Sequence, residues 1–406
     1  MRRRYVQIAI VSILFKLMDV NSAIALNETT HAIINEQAAR QSRPNKPGLD
    51  QILKDELGFP QGIEESLRSR EVFEWLREGG IQEDSPLCRT ARHFHDPLQP
   101  WENAGLRTLN PIIMVPCGGS SFLSSVHWAQ KPNQSVGKKW SWQDARLHYL
   151  RALTASDPGT REQAFADTFQ AIGQQMHLVV DASVIEHVRN DPHLLESALR
   201  AVGQRGYGSY EHWVSDQHGP PGSSREQNFI TSYLSNPVNF DSAILQQPTN
   251  DSKSPVSIAR LIDTDTYTGL ASGPNVTKNN PAIGIAEFAN ANFFSEDTQP
   301  GQYPFPDINS VVPSSHPAPK TGRARAYYKK GPNDGVQGDP VLAECVLDQA
   351  AIEEGIVDPF IYTCTDENVW AQTAREMLPR AVSYAGGVLD YFFRGTLDFT
   401  VSASSS

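Results

Sequence analysis

Residues 161–187 read REQAFADTFQAIGQQMHLVVDASVIEH, and this stretch decides the fold. Ala164, Phe165, Phe169, Ile172, Met176 and Val180 recur near one face of a helix of period 3.6. The run predicts a long helix from Arg161 to Val180 that turns an apolar face to a core. His177 and Asp181 stand four apart at its end, so both side chains lie on one helical face. A neutral imidazole and a carboxylate at that spacing can converge on one metal ion. They can equally close a helix end as an ion pair, and a His-x3-Asp alone does not choose between the two.

Working outward, other segments carry the same period. Thr30 caps a helix through Ile33, Ile34 and Ala38. Val72, Phe73 and Leu76 predict a second, which Gly79-Gly80 should stop. Trp140 to Leu153 reads as a third, with Ser141 and Asp144 as a capping box. The chain turns helical again from Asn368 to Phe393, where Pro379 should kink or divide the segment. Between these lies a stretch rich in Pro, Asn, Ser, Gly and Asp with few periodic runs. Only a short helix at Ile283 to Ala291 and an exposed loop at Ser310 to Lys320 are expected there. No internal repeat is present. The expected fold class is therefore mainly α. A helical core over 26–216 is followed by an irregular insertion over 217–367. C-terminal helices over 368–395 complete the core, and 396–406 forms a disordered tail.

The chain has 406 residues, 39% of them hydrophobic, enough for one large or two medium domains with a proper core. Its net charge of −11 provides no long-range attraction for phosphate backbones, so any affinity for phosphate must be local. Arg2, Arg3 and Arg4, the apolar run Val6 to Leu17 and Ala23-Ile24-Ala25 together read as an export signal over 1–25. The run is too short to span a bilayer. The expectation is a secreted or periplasmic protein with no stable membrane span. Export permits disulfides: Cys345 with Cys364 is the first candidate pair and Cys88 with Cys117 the second. Cysteine spacings resemble no zinc finger, so any metal must be held by His and carboxylate. Asn27, Asn133, Asn250 and Asn275 stand in Asn-x-Ser/Thr sites.

The surroundings of His177 and Asp181 weigh towards metal. His187 follows six residues after Asp181, then Asp191-Pro192-His193, and later Tyr210-Glu211. Upstream are Glu83-Asp84, the run Arg92-His93-Phe94-His95-Asp96-Pro97, and His31 near the predicted mature start. Zinc prefers this mixture of neutral imidazole and carboxylate in groups of three or four. The chain has only eleven His, and most of those in the helical half fall in these motifs. Others read more plainly. His95 points away if His93 points in; His212 and His218 suit a loop or surface; Trp128, Trp140 and Trp142 suit the core. Glu287, Asn290 and Asn292 either support the site by hydrogen bonds or belong to a capped helix with packed Phe288, Phe293 and Phe294. There is no Gly-x-Ser-x-Gly elbow and no phosphate-binding Gly-x4-Gly-Lys-Ser/Thr loop, and Cys117-Gly-Gly has no recognisable His partner motif.

These motifs resemble those of the bacterial zinc-dependent phospholipases C and the fungal three-zinc single-strand nucleases. The family's His-x3-Asp with a following x5-His matches His177, Asp181 and His187. Its acidic residue followed by His-Phe-x-Asp-Pro matches Asp84 and the run from His93 to Pro97. Its helical His behind the mature N-terminus matches His31, and its late acidic ligand before an aromatic matches Glu211. The resemblance implies a phospholipase C/nuclease-like helical bundle holding up to three zinc ions. One ion would take Asp84, His93, His177 and Asp181. A second would take the amine and carbonyl of Leu26, His31 and a bridging Asp181. The third would take His187, Glu211 and one more ligand. Tyr207 stands where the family has that ligand, so His193 is the substitute and Asp191 the runner-up. The mature chain would begin with Leu26 where the family has Trp.

The implied activity is hydrolysis of a phosphate ester by metal-activated hydroxide attacking phosphorus. Asp84 would orient the attacking water or take its proton, and Asp181 would set the spacing of two ions. Arg92 could touch the phosphate, or pair with Asp96 or Glu83. The substrate would be a small phosphodiester, a phospholipid or single-stranded nucleic acid, and the protein a monomer. A reading from another class is a non-catalytic, zinc-stabilised secreted binding protein that uses its Asn/Pro-rich half to contact a partner.

Overall fold

The computed structural model describes residues 28–41, 48–86, 88–108, 111–134, 136, 139–192, 209–267, 282–295, 311–317, 324–329, 341–346 and 361–395. Leu26, His193, Tyr207, the 1–25 segment and the 396–406 tail lie outside them. The described part is mainly helical.

In chain order the helices are α1 (Glu28–Arg40), α2 (Leu49–Asp55), α3 (Val72–Gln82), α4 (Pro111–Cys117), α5 (Ser125–Gln130), α6 (Trp142–Thr154) and α7 (Pro158–Asp181). They continue with α8 (Tyr210–His218), α9 (Ser224–Phe229), α10 (Ile285–Asn292) and α11 (Glu367–Phe392). A two-stranded ribbon, β1 (Ser66–Leu67) and β2 (Arg70–Glu71), precedes α3. An antiparallel sheet of β3 (Val312–Pro313), β4 (Ala324–Lys329), β5 (Leu342–Val346) and β6 (Ile361–Cys364) precedes α11.

Helix α7 is the axis of the fold. Asp157 caps it by accepting from the Thr160 amide, and Pro158 opens its first turn, where no amide partner is needed. Every residue from Ala171 to Asp181 is buried, so its second half is enclosed on all sides. Helices α3, α6, α11 and α1 pack against it. Ser141 and Asp144 form the expected capping box of α6.

Four expectations change. Thr30 does not cap α1 but lies inside it, since the helix already runs from Glu28. Gly79-Gly80 does not stop α3, which runs on to Gln82. The glycines are there for close packing: a Cβ on Gly79 would sit 2.2 Å from the Gln170 carbonyl oxygen, and one on Gly173 would sit 2.3 Å from that of Leu76. Asn35 of α1 seals the crossing by donating to the carbonyls of Leu76 and Gly173, 3.0 Å each. Pro379 does not divide the C-terminal segment either. Helix α11 is a single helix, buried throughout from Glu376 to Tyr391, and packing against α1 and α7 holds it together.

The 217–367 stretch, expected to be irregular, contains α9, α10, two 3-10 turns (Ser242–Gln246, Ser257–Leu261) and the four-stranded sheet. Its strands are two to six residues long, too short to leave a readable period. Cys345 pairs with Cys364 across β5 and β6, and Cys88 pairs with Cys117. Among the described residues, no helix is long and apolar enough to cross a membrane.

Candidate metal centre

The close crossing of α1, α3 and α7 brings five donors together. His31 comes from α1, Asp84 from the turn after α3, His93 from the end of a 3-10 turn (Thr90–Arg92), and His177 and Asp181 from the last turn of α7. All are buried, with Asp84 at 5% exposure the most accessible.

Asp181 is the hub. Its Oδ2 lies 2.7 Å from His93 Nδ1 and 3.0 Å from His177 Nε2. Its Oδ1 lies 3.1 Å from His31 Nε2 and 3.6 Å from His187 Nδ1. Asp84 Oδ1 completes the first side, 3.5 Å from His93 Nδ1 and 3.6 Å from His177 Nε2. Two groups of buried donors, Asp84/His93/His177 and His31/His177/Asp181, could each hold a metal ion. Donors about 2.0–2.1 Å from a tetrahedral zinc stand about 3.3 Å from one another, the middle of the distances seen here.

Hydrogen bonding does not account for the cluster. Both Asp181 oxygens, Asp84 Oδ1 and both ring nitrogens of His31 are buried without a hydrogen-bond partner. His177 Nε2 and His93 Nδ1 do meet at hydrogen-bond distance, 3.3 Å, but the Asp181 and Asp84 oxygens and the His31 nitrogens approach the others without such alignment, so they face shared space. Buried polar atoms left in that state are costly, and a cation between them satisfies several at once. His177 is also oriented as a ligand should be. Its Nδ1 is 2.7 Å from the Gly80 carbonyl oxygen, which can only accept, so Nδ1 carries the proton and Nε2 keeps its lone pair for the centre. Its ring stacks on that of His31 with centroids 3.5 Å apart.

The charges follow from crowding. Burial pushes the Asp84 carboxyl up to about 7. Burial and the neighbouring His177 push His31 down to about 4. For His93, burial is outweighed by Asp181, Glu83 and Asp84, which raise it to about 10. Burial is likewise outweighed at Asp181, where His177, His187 and His31 hold the carboxyl well below its usual range.

His187 and Glu211 lie at the margin of the cluster. The His187 ring packs at 4.5 Å on Phe94, and its backbone carbonyl accepts from the His95 amide. Asn290 of α10 donates to the next carbonyl, that of Val188, at 2.7 Å. Glu211 is buried in the first turn of α8, and its charge is among those that raise Asp84. Leu26 and His193 fall outside the described residues.

Other candidates are placed elsewhere. His95 points away and pairs with Asp263 at 2.7 Å. Arg92 pairs with neither Asp96 nor Glu83; it lies over the Phe122 and Trp128 rings and donates to the Cys88 carbonyl. Glu83 pairs instead with Arg89. Glu287 accepts from the amides of Thr264, Thr266, Tyr267 and Gly284, so it braces a loop. Asn292 bonds within its own helix. Sequence reasoning missed Gly80, Asn35 and Arg89. The Gly79-Gly80 pair was their one visible signal, and it reads equally as a stop.

The chain matches no protein-family model, no curated protein and no solved structure, so the reading of this centre rests on its own side chains.

Proposed function

We propose that this protein is a zinc-dependent phosphoric-ester hydrolase. The observation that carries the reading is the division of Asp181: one oxygen faces His93 and His177, and the other faces His31 and His187. A carboxylate so placed suits a bridge between two ions, and paired ions suit in-line displacement at phosphorus. When bound, zinc would supply a lowered water pKa and positive charge against a phosphate. Asp84, His93, His177 and Asp181 would hold one ion, and His31 and Asp181 the other. Asp84 is the most exposed of the five donors, which makes it the one best placed to meet a bound water. Its role here is to orient water and accept its proton. Positive charge at the centre would also offset the −11 of the chain for an anionic substrate.

The near-complete burial of the donors favours a second reading, a closed structural zinc site in a binding protein. Metal analysis of purified protein, coupled to turnover of a choline phosphodiester, a phosphomonoester and single-stranded DNA, decides between them. Zinc with turnover of at least one substrate is the expected result. Zinc with no turnover leaves the structural reading, and no zinc removes both.

A further inference from the structure

We propose that Glu83 is the positioning residue of the centre. Its carboxylate accepts the His93 Nε2 proton and so aims His93 Nδ1 at the metal. The inference rests on the metal-centre reading above and names a residue which that reading does not use. Glu83 and Asp84 are neighbours with opposite tasks. Asp84 turns towards the donors, while Glu83 is fully buried on the far side of the His93 ring.

The carboxylate of Glu83 is held from two sides. One oxygen pairs with Arg89, and Oε1 accepts from Trp128 Nε1 at 2.8 Å. Arg89 is itself fixed, donating to the Val136 carbonyl at 2.8 Å and to Gln174 Oε1 at 3.1 Å, one residue from the Cys88–Cys117 bridge. Glu83 therefore cannot swing away from its place.

His93 lies between the two acids. Its Nδ1 is 2.7 Å from Asp181 and 3.5 Å from Asp84, on the donor side. Its Nε2 is buried with no hydrogen-bond partner and stands 3.8 Å from Glu83 Oε1. A ring that gives one nitrogen to a metal keeps its proton on the other, and burying that N–H without an acceptor is costly. A movement of about 1 Å brings Nε2 and Oε1 to hydrogen-bond length. His177 shows the same division of labour, with the Gly80 carbonyl as its acceptor. A carboxylate in that place makes the opposite nitrogen a stronger donor than a carbonyl does.

The test uses the full chain with zinc alone as the probe. Zinc affinity is measured by competition with a chromophoric chelator, and the His93 ring nitrogens are observed by 15N NMR in zinc-loaded protein. Glu83→Gln should weaken the tightest zinc about 10–100-fold and shift the His93 Nε2–H signal. Because Glu83→Gln leaves Arg89 buried without its acid, a Glu83→Gln/Arg89→Met double variant removes both charges together. It should show the same loss of affinity with melting close to that of the metal-free parent. Affinity within about twofold of the parent in both variants, or a His93 bound through Nε2, overturns the role of Glu83 while leaving the metal centre standing. A parent chain that takes up no zinc overturns both.

Discussion

Gly79 of α3 and Gly173 of α7 face each other at the helix crossing, where a Cβ added to Gly79 would lie 2.7 Å from Gly173 Cα. The absent side chains let α3 descend far enough for the Gly80 carbonyl to reach His177 and for Asp84 to reach His93. Gly173→Ala forces a methyl against the Leu76 backbone, which cannot yield as a flexible side chain does. It should cost about 1–3 kcal/mol, the usual range for overpacking. Denaturant unfolding of metal-free protein measures this, and a midpoint equal to that of the parent contradicts it.

The two-sided placement of Asp181 predicts unequal metal losses. Asp181→Ala should bind less than one zinc per chain, since its two oxygens face both sides of the centre. His177→Ala should lose zinc and activity together. His31→Ala should empty only the Oδ1 side and keep the ion near Asp84 and His93. Metal analysis after dialysis separates these cases. Full zinc content in Asp181→Ala would end the bridging assignment.

The charge balance predicts a pH effect confined to metal-free protein. His93 has its folded pKa raised from 6.5 to about 10. Its contribution is therefore fully present below pH 6.5 and is lost as pH rises towards 10. Asp84 acts with the same sign but is spent by about pH 7, and His31, lowered to about 4, acts oppositely and only below 6.5. Between pH 7 and 9 the melting temperature of chelator-treated protein should fall. Zinc-loaded protein, in which the ion replaces the proton, should not follow it. Parallel curves would show that His93 does not sit on the metal.

The two disulfides should separate by function. Cys88–Cys117 encloses the segment that carries Arg89 and His93, with a sequence separation of 29. Replacing both cysteines by Ser should cost about 2–4 kcal/mol and weaken zinc binding as well. Replacing Cys345 and Cys364 should loosen the β5–β6 pair and leave zinc affinity unchanged. Calorimetry and chelator competition check both statements, and equal effects on zinc would refute the distinction.

Helix α7 was legible because Ala164, Phe165, Phe169, Ile172, Met176 and Val180, all buried, recur near one helical face, and His177 and Asp181 could be placed on one face from spacing alone. His31, Asp84 and His93 were nominated by residue type and order, and the fold brings them to the same carboxylate. What stayed hidden depends on partners remote in sequence. Gly79-Gly80 looks identical as a stop and as a crossing point until Gly173 is opposite it. Glu83 and Arg92 were a plausible pair, yet Arg89 lies closer in space. The sheet between 312 and 364 was missed because its pairing is non-local and its strands short.

The stacking of the His31 and His177 rings joins residues 146 positions apart in the chain, one on the first described helix and one on the axis. No single segment, and no adjacent pair of segments, owns a full donor set. If both ions bind, only the one on the Oδ1 side of Asp181 would need α1: chains that have made α7 but not yet seated α1 would stay half-filled. In refolding protein, capture of the second ion should follow α1 docking, while capture of the first should not depend on it.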